Sequence, residues 1–164
     1  MNILANDGIS SAGLAELEKE GHRVWTDFVA AEELVDFINS EHVDGLLVRS
    51  ATKVREPLID ACPNLKFIIR GGVGMDNIDV AYARSNGVQV NNTPAASSQS
   101  VAELVMGHLF TLSRFLHDSN RRMPVEGGEQ FKTLKKAYGK GRELRGTTLA
   151  IVGFGRIGQS LAQY

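Results

Sequence analysis

The sequence predicts an α/β protein that begins with a doubly wound parallel sheet and continues into the first elements of a second α/β unit. Short apolar runs alternate with helix-like stretches over about the first ninety residues. Glycine or proline stands at the ends of several of these helices, and a glycine-rich turn follows an apolar run near residue 150. Strand and helix in strict alternation favour parallel strands with helices on both faces.

Five strands and four helices are predicted in the first part of the chain. The strands are expected at Asn2–Asn6, Arg23–Thr26, Gly45–Arg49, Lys66–Arg70 and Val88–Asn91. The helices are expected at Ser11–Lys19, Glu32–Ser40, Glu56–Ala61 and Val80–Ser85. Gly21 and Gly87 are typical helix stops, while Pro57 suits a first helical turn and Pro63 ends that helix. Five strands in this length predict a small sheet of the flavodoxin-like type.

The second part of the chain is predicted to contain two helices and one strand. Ser100 and Glu103 have the spacing of a capping box, which begins a long apolar-faced helix reaching about Asn120. Arg121–Gly146 carries eight basic and three acidic residues, and we interpret it as a solvated connector or a contact for a phosphorylated ligand or a neighbouring subunit. A strand at Thr147–Val152 and a helix at Gln159–Tyr164 follow.

Composition narrows the classes of function. The net charge of −1 gives no general attraction to nucleic acid or to a membrane surface, and no apolar run approaches a membrane span. A single cysteine, Cys62, excludes an internal disulfide and suits the reducing cytoplasm. No cysteine–histidine cluster has the spacing of a metal site.

The most informative motif is Gly153-Phe154-Gly155-Arg156-Ile157-Gly158, which lies between the predicted strand and the predicted helix. In dinucleotide-binding turns the first glycine makes the bend, the second lets the backbone approach a pyrophosphate, and the third lets helix and strand pack closely. The acidic residue that holds the cofactor ribose is expected about 20 residues later, beyond Tyr164, so NADP is not excluded beside NAD.

A second glycine loop and two arginines follow neighbouring strands. Gly72 and Gly74 free backbone N–H groups at the end of the fourth strand, where either an anion-binding nest or a plain tight turn is expected. Arg49 and Arg70 end the third and fourth strands at the same edge. Either is a surface charge by itself, but two together favour an anionic substrate.

Four blocks in this order resemble the D-isomer-specific 2-hydroxyacid dehydrogenases. They are Arg70–Asp79, Val90–Pro94, Ser100–Leu104 and Gly153–Gly158. The segment Val48–Val54 resembles most closely the phosphoglycerate dehydrogenase branch, which oxidises 3-phosphoglycerate with NAD at the start of serine synthesis. The resemblance covers essentially the whole chain.

The resemblance implies a substrate-binding domain at residues 1–95, a hinge near Asn92–Ala95, and the start of a nucleotide-binding domain at residues 96–164. It also implies a homodimer built on the long helix and the segment after it. The implied substrate-binding residues are Arg49, Ser50, Arg70, Gly72, Val73 and Gly74. The implied cofactor-binding residues are Val73, Gly153, Gly155, Arg156, Ile157 and Gly158.

The catalytic arginine, glutamate and histidine of this family are expected beyond Tyr164, so no catalytic residue is assigned. We therefore expect the 164-residue chain to be inactive by itself. A truncated dehydrogenase used as a dimerising or regulatory module is the alternative. A phospho-receiver domain is excluded, because Arg49 and Ser50 stand where its aspartate should follow the third strand.

Overall fold

The computed structural model describes all 164 residues, which form two compact units, Met1–Ala96 and Ser97–Tyr164. Unit 1 contains every strand: β1 (Asn2–Ala5), β2 (Arg23–Trp25), β3 (Gly45–Val48), β4 (Phe67–Arg70) and β5 (Gln89–Asn92). Its helices are α1 (Ser11–Lys19), α2 (Ala31–Ser40), α3 (Glu56–Ala61) and α4 (Val80–Ser85). Unit 2 contains α5 (Ser98–Arg114), α6 (Leu116–Tyr138) and α7 (Arg156–Leu161).

The five strands form one parallel sheet in the order β2-β1-β3-β4-β5, which confirms the predicted flavodoxin-like class. Leu4, Leu46 and Ile68, from three adjacent strands, are completely buried in the core. The strand order reverses between β1 and β3. In doubly wound sheets ligands bind beside the carboxyl ends of the strands at such a switch point.

Three helices of unit 1 end in the same way. Gly21 after α1, His42 after α2 and Gly87 after α4 have positive φ values of 81°, 50° and 80°. After α2, for example, the amide of Val43 donates to the carbonyl of Ile38 at 2.9 Å, which closes a Schellman motif. The two glycines confirm the predicted stops, whereas His42 adopts the left-handed conformation without being a glycine.

Unit 2 differs from the predicted long helix and connector. The helix stops at Arg114 because Phe115 is left-handed, with φ 56° and ψ 32°. Most of the predicted connector is helical and belongs to α6, which bends at Gln130. The bend brings the Tyr138 hydroxyl back to donate to Asp118 at 2.8 Å, whereas 20 residues of straight helix would separate them by about 30 Å.

Two further expectations in unit 2 are wrong. Thr147–Val152 forms no strand, because no neighbouring strand of unit 2 is present to complete a ladder of hydrogen bonds. The capping box at Ser100 does not form, because α5 begins earlier and Glu103 instead accepts hydrogen bonds from Gln99 and Tyr164. The last helix begins at Arg156. None of the helices has the length and apolar character required to cross a membrane.

Candidate substrate and cofactor sites

The predicted arginines meet at the carboxyl ends of β3 and β4, next to the switch point between β1 and β3. Arg49 directly follows β3, Arg70 is the last residue of β4, and the Arg70 Nε donates to the Arg49 carbonyl at 3.2 Å. Neither guanidinium pairs with a carboxylate, although six other ion pairs form in the chain. The two positive charges are therefore left to interact with solvent or with an anion.

The glycine loop after β4 is held through its carbonyl groups. The Gly72 carbonyl accepts from the Thr93 amide at 3.0 Å, and the Val73 carbonyl accepts from the Asn92 side chain at 2.6 Å. The amides of Val73 and Gly74 donate to no group of the protein, and both residues are exposed. The loop thus presents two free N–H donors beside Arg70.

The absence of a side chain at Gly72 determines where Arg70 lies. A Cβ atom added to Gly72 would stand 2.0 Å from Arg70 Nη1 and 2.6 Å from its Cζ. Because these distances are far below any van der Waals contact, the guanidinium occupies the space that a side chain would need. Gly72 is therefore required for the position of Arg70 as well as for the path of the loop.

Asp7, which the sequence did not single out as a site residue, lies beneath the turn after β3. Its carboxylate accepts from the Arg49 amide at 2.6 Å and from the Thr52 hydroxyl at 2.6 Å. Burial by itself would raise the pKa of Asp7, but the hydrogen bonds from Thr52 and from the backbone amides outweigh burial, so this pKa is lowered. Asp7 therefore remains a carboxylate. It accepts hydrogen bonds from the turn and does not pair with the Arg49 guanidinium.

A cleft of about 400 Å³ lies beside this turn. Asp7, Phe28, Arg49 and Ser50 are among the residues that line it, whereas Gly72–Gly74 do not. Ser50 is exposed, and its hydroxyl has no hydrogen-bond partner in the protein. The structure therefore places Arg49 with Ser50 on the cleft, with the Arg49 side chain also beside Gly71, and it places the Arg70 guanidinium over Gly72.

Cys62 and Asp79 have structural roles. Burial raises the pKa of the Cys62 thiol to about 11, so this cysteine remains protonated and unreactive. Asp79 accepts from Arg55 at 2.7 Å and from the Glu56 amide at 3.0 Å, which ties the start of α3 to the turn before α4. The hydrogen bond from Arg55 is the main reason that the pKa of Asp79 is lowered.

The three glycines of the turn in unit 2 occupy three different environments. Gly153 has φ 95°, a backbone conformation that residues other than glycine rarely adopt. A Cβ atom on Gly158 would lie 2.4 Å from the Gly153 carbonyl oxygen, so close packing excludes a side chain there. Gly155 faces open space, with no atom within 4 Å of an added Cβ.

The backbone of this turn also leaves donors free. The amides of Arg156 and Ile157 donate to no group of the protein. Open space above Gly155 together with free amides at the next two residues fits the approach of a pyrophosphate, which needs close backbone contact and N–H donors.

Comparison with known proteins assigns the family. Residues 3–155 match the model described as D-isomer specific 2-hydroxyacid dehydrogenase, catalytic domain. The chain belongs to this family. The resemblance carried by the four sequence blocks is therefore confirmed, and the family name applies to both units.

Relatives in this family with more specific names cover nearly the whole chain. Hydroxypyruvate reductase of Thermotoga maritima is 45% identical over 147 residues, which are 90% of this chain and 45% of that protein. D-3-phosphoglycerate dehydrogenase of Methanocaldococcus jannaschii is 39% identical over 163 residues, which are 99% of this chain and 30% of that protein. The chain thus spans less than half of the length of either relative.

A solved structure supports the same family. NAD⁺-bound 3-phosphoglycerate dehydrogenase of Entamoeba histolytica matches with a TM-score of 0.70 and 29% sequence identity. The match covers 99% of this chain and 49% of that chain.

Proposed function

We propose that this chain forms the substrate-binding domain, residues 1–95, and the start of the nucleotide-binding domain, residues 96–164, of an NAD-dependent 2-hydroxyacid dehydrogenase. The observation that carries the proposal is the pair of free amides at Val73 and Gly74 beside an unpaired Arg70 guanidinium. Backbone N–H groups and a guanidinium are the donors that a carboxylate requires.

The residues of this chain bind and orient the substrate. The free amides of Val73 and Gly74 and the Arg70 guanidinium hold the carboxylate, so that C2 of the hydroxy acid stands beside the loop. A bound NAD would supply the hydride acceptor for oxidation at C2, and the hydroxyl proton would leave to a general base. Gly153, Gly155, Arg156, Ile157 and Gly158 would hold the pyrophosphate, and the family resemblance assigns the exposed Val73 to cofactor binding as well.

We propose 3-phosphoglycerate as the substrate. Its two anionic groups match two unpaired cations, because Arg49 lies with Ser50 on the cleft while the Arg70 guanidinium lies over Gly72. Hydroxypyruvate is the second candidate, since the name of the relative from Thermotoga maritima indicates it. Hydroxypyruvate has one carboxylate and no phosphate, so it leaves Arg49 without an anionic partner.

Calorimetric titration of the 164-residue chain distinguishes the two substrates. Arg49→Gln should weaken 3-phosphoglycerate binding by about tenfold, the value of one charge-assisted hydrogen bond, and leave glycerate and hydroxypyruvate binding nearly unchanged. Arg70→Gln should weaken binding of all three. Equal losses for all three ligands in Arg49→Gln would exclude the phosphate assignment, and a wild-type chain that binds none of them would contradict the proposed function.

We also propose a cytoplasmic homodimer. Leu104, Leu112 and Val125 are 60%, 75% and 84% exposed on α5 and α6, which is costly unless a partner surface covers them. Sedimentation analysis tests the dimer, and a monomer throughout the micromolar range would exclude it. Use of the chain as a dimerising module without activity remains the alternative, and the expected lack of NAD reduction by the 164 residues stays a prediction.

A further inference from the structure

The turn that carries Arg49 is fixed by side chains rather than by secondary structure. Residues 49–53 belong to no helix or strand. Asp7, which follows β1, accepts from the Arg49 amide at 2.6 Å, from the Thr52 amide at 3.1 Å and from the Thr52 hydroxyl at 2.6 Å. One carboxylate thus holds both ends of the turn from below.

The carbonyl groups of the same turn are held from another direction. The side-chain amide of Asn77 is buried and donates to the Arg49 carbonyl at 3.0 Å and to the Thr52 carbonyl at 2.8 Å. Asp7 and Asn77 together therefore satisfy both the N–H and the C=O groups at the two ends of the turn.

A carboxylate is an unexpected neighbour for an anion-binding arginine. Asp7 lines the same cleft as Arg49 and Ser50, so its negative charge repels an anion that enters there. Its oxygens are occupied by backbone amides and by a hydroxyl, and it forms no ion pair with the Arg49 guanidinium. Asp7 therefore fixes the conformation of the turn and leaves the Arg49 guanidinium free to bind an anion.

We propose that Asp7 is a positioning residue for the anion site, which it completes by fixing the Arg49–Thr52 turn through backbone hydrogen bonds. The inference rests on the proposed function, because it assumes that Arg49 binds the substrate anion. A positioning role and a purely electrostatic role of Asp7 predict changes of opposite sign in the affinity for the anion. Removing the charge of Asp7 should weaken anion binding through loss of the turn, although loss of repulsion by itself would strengthen it.

Titration of 3-phosphoglycerate into the 164-residue chain tests this sign. Asp7→Asn should bind at least about fivefold more weakly than the wild type, since an amide cannot accept all three hydrogen bonds. Asp36→Asn, which removes one charge from an exposed position of α2, is the matched control and should bind as the wild type does. Tighter binding by Asp7→Asn would overturn the proposal.

Thr52 provides a second variant that keeps the charge of Asp7. Thr52→Val removes the hydroxyl donor and should weaken binding, while Thr52→Ser keeps the hydroxyl and should restore it. Hydrogen exchange at the Arg49 and Thr52 amides of the ligand-free chain should accelerate in Asp7→Asn. Unchanged exchange at both amides would overturn the proposal by itself. The wild-type titration reports separately whether the proposed function holds.

Discussion

The guanidinium of Arg70 fills the space above Gly72, with Nη1 standing 2.0 Å from the point where a Cβ atom would be. The positions of these two residues are thus coupled, because the absence of a side chain at Gly72 allows the Arg70 guanidinium to lie against the loop. Since the obstructing atoms belong to the flexible end of Arg70, a larger residue at position 72 is expected to move the arginine rather than to unfold the protein.

Gly72→Ala should therefore separate binding from stability. We expect affinity for 3-phosphoglycerate to fall by about tenfold as Arg70 is displaced, while the free energy of unfolding changes by less than about 1 kcal/mol. Calorimetry and urea denaturation measure the two quantities. Gly71→Ala is the matched control, because its Cβ would have an ordinary contact of 3.4 Å with Arg49. A large loss of stability without a loss of affinity would contradict the prediction.

The glycines of the nucleotide turn should respond in opposite ways. Gly158→Ala is expected to destabilise unit 2 by about 1–3 kcal/mol, because the added carbon meets the Gly153 carbonyl at 2.4 Å. Gly155→Ala faces open space and should leave thermal stability unchanged, yet it should weaken binding of NAD by obstructing the pyrophosphate. Calorimetric melting and saturation-transfer NMR with NAD⁺ measure these effects. Equal melting temperatures for both variants would refute the assignment.

Gly45 and Phe67 form a matched pair across β3 and β4. The Phe67 ring covers Gly45, and a Cβ atom there would lie 2.0 Å from the ring carbon Cζ. Gly45→Ala should lower the free energy of unfolding by about 1–3 kcal/mol, since the half-buried ring has to move. In a double-mutant cycle, Phe67→Leu should recover part of this loss. Strictly additive effects of the two substitutions would show that the ring is not the obstacle.

Acid should weaken unit 1 through its hydrogen-bonded aspartates. The pKa of Asp79 is lowered by the hydrogen bond from Arg55, so its contribution to stability is present above the ordinary value of 3.8 and is lost as the pH falls through the lower folded value. Denaturation from pH 6 to pH 3 should show a decline in the free energy of unfolding that begins at about pH 4. Asp79→Asn should flatten this decline and Asp36→Asn should not; identical slopes in both would exclude the linkage.

The sequence by itself determined the sheet, its parallel strands and most helix ends of unit 1. These features follow from local causes, such as the apolar period of each segment and the conformational freedom of Gly21 and Gly87. The family motifs could also be recognised from the sequence, because the glycines of each turn are close together in the chain.

Only the tertiary structure determined the conformation of segments whose packing or hydrogen-bonding partners are distant in the chain or absent from the fold. Thr147–Val152 has the composition of a strand but no neighbour to pair with, and α6 bends at Gln130, which brings Tyr138 to Asp118 across 20 residues. Asp7 reaches the turn of Arg49 across 42 residues, and no local pattern marks it. Periodicity encodes the neighbours of a residue along the chain, whereas contacts of this kind arise only when separate strands reach the same edge of the sheet.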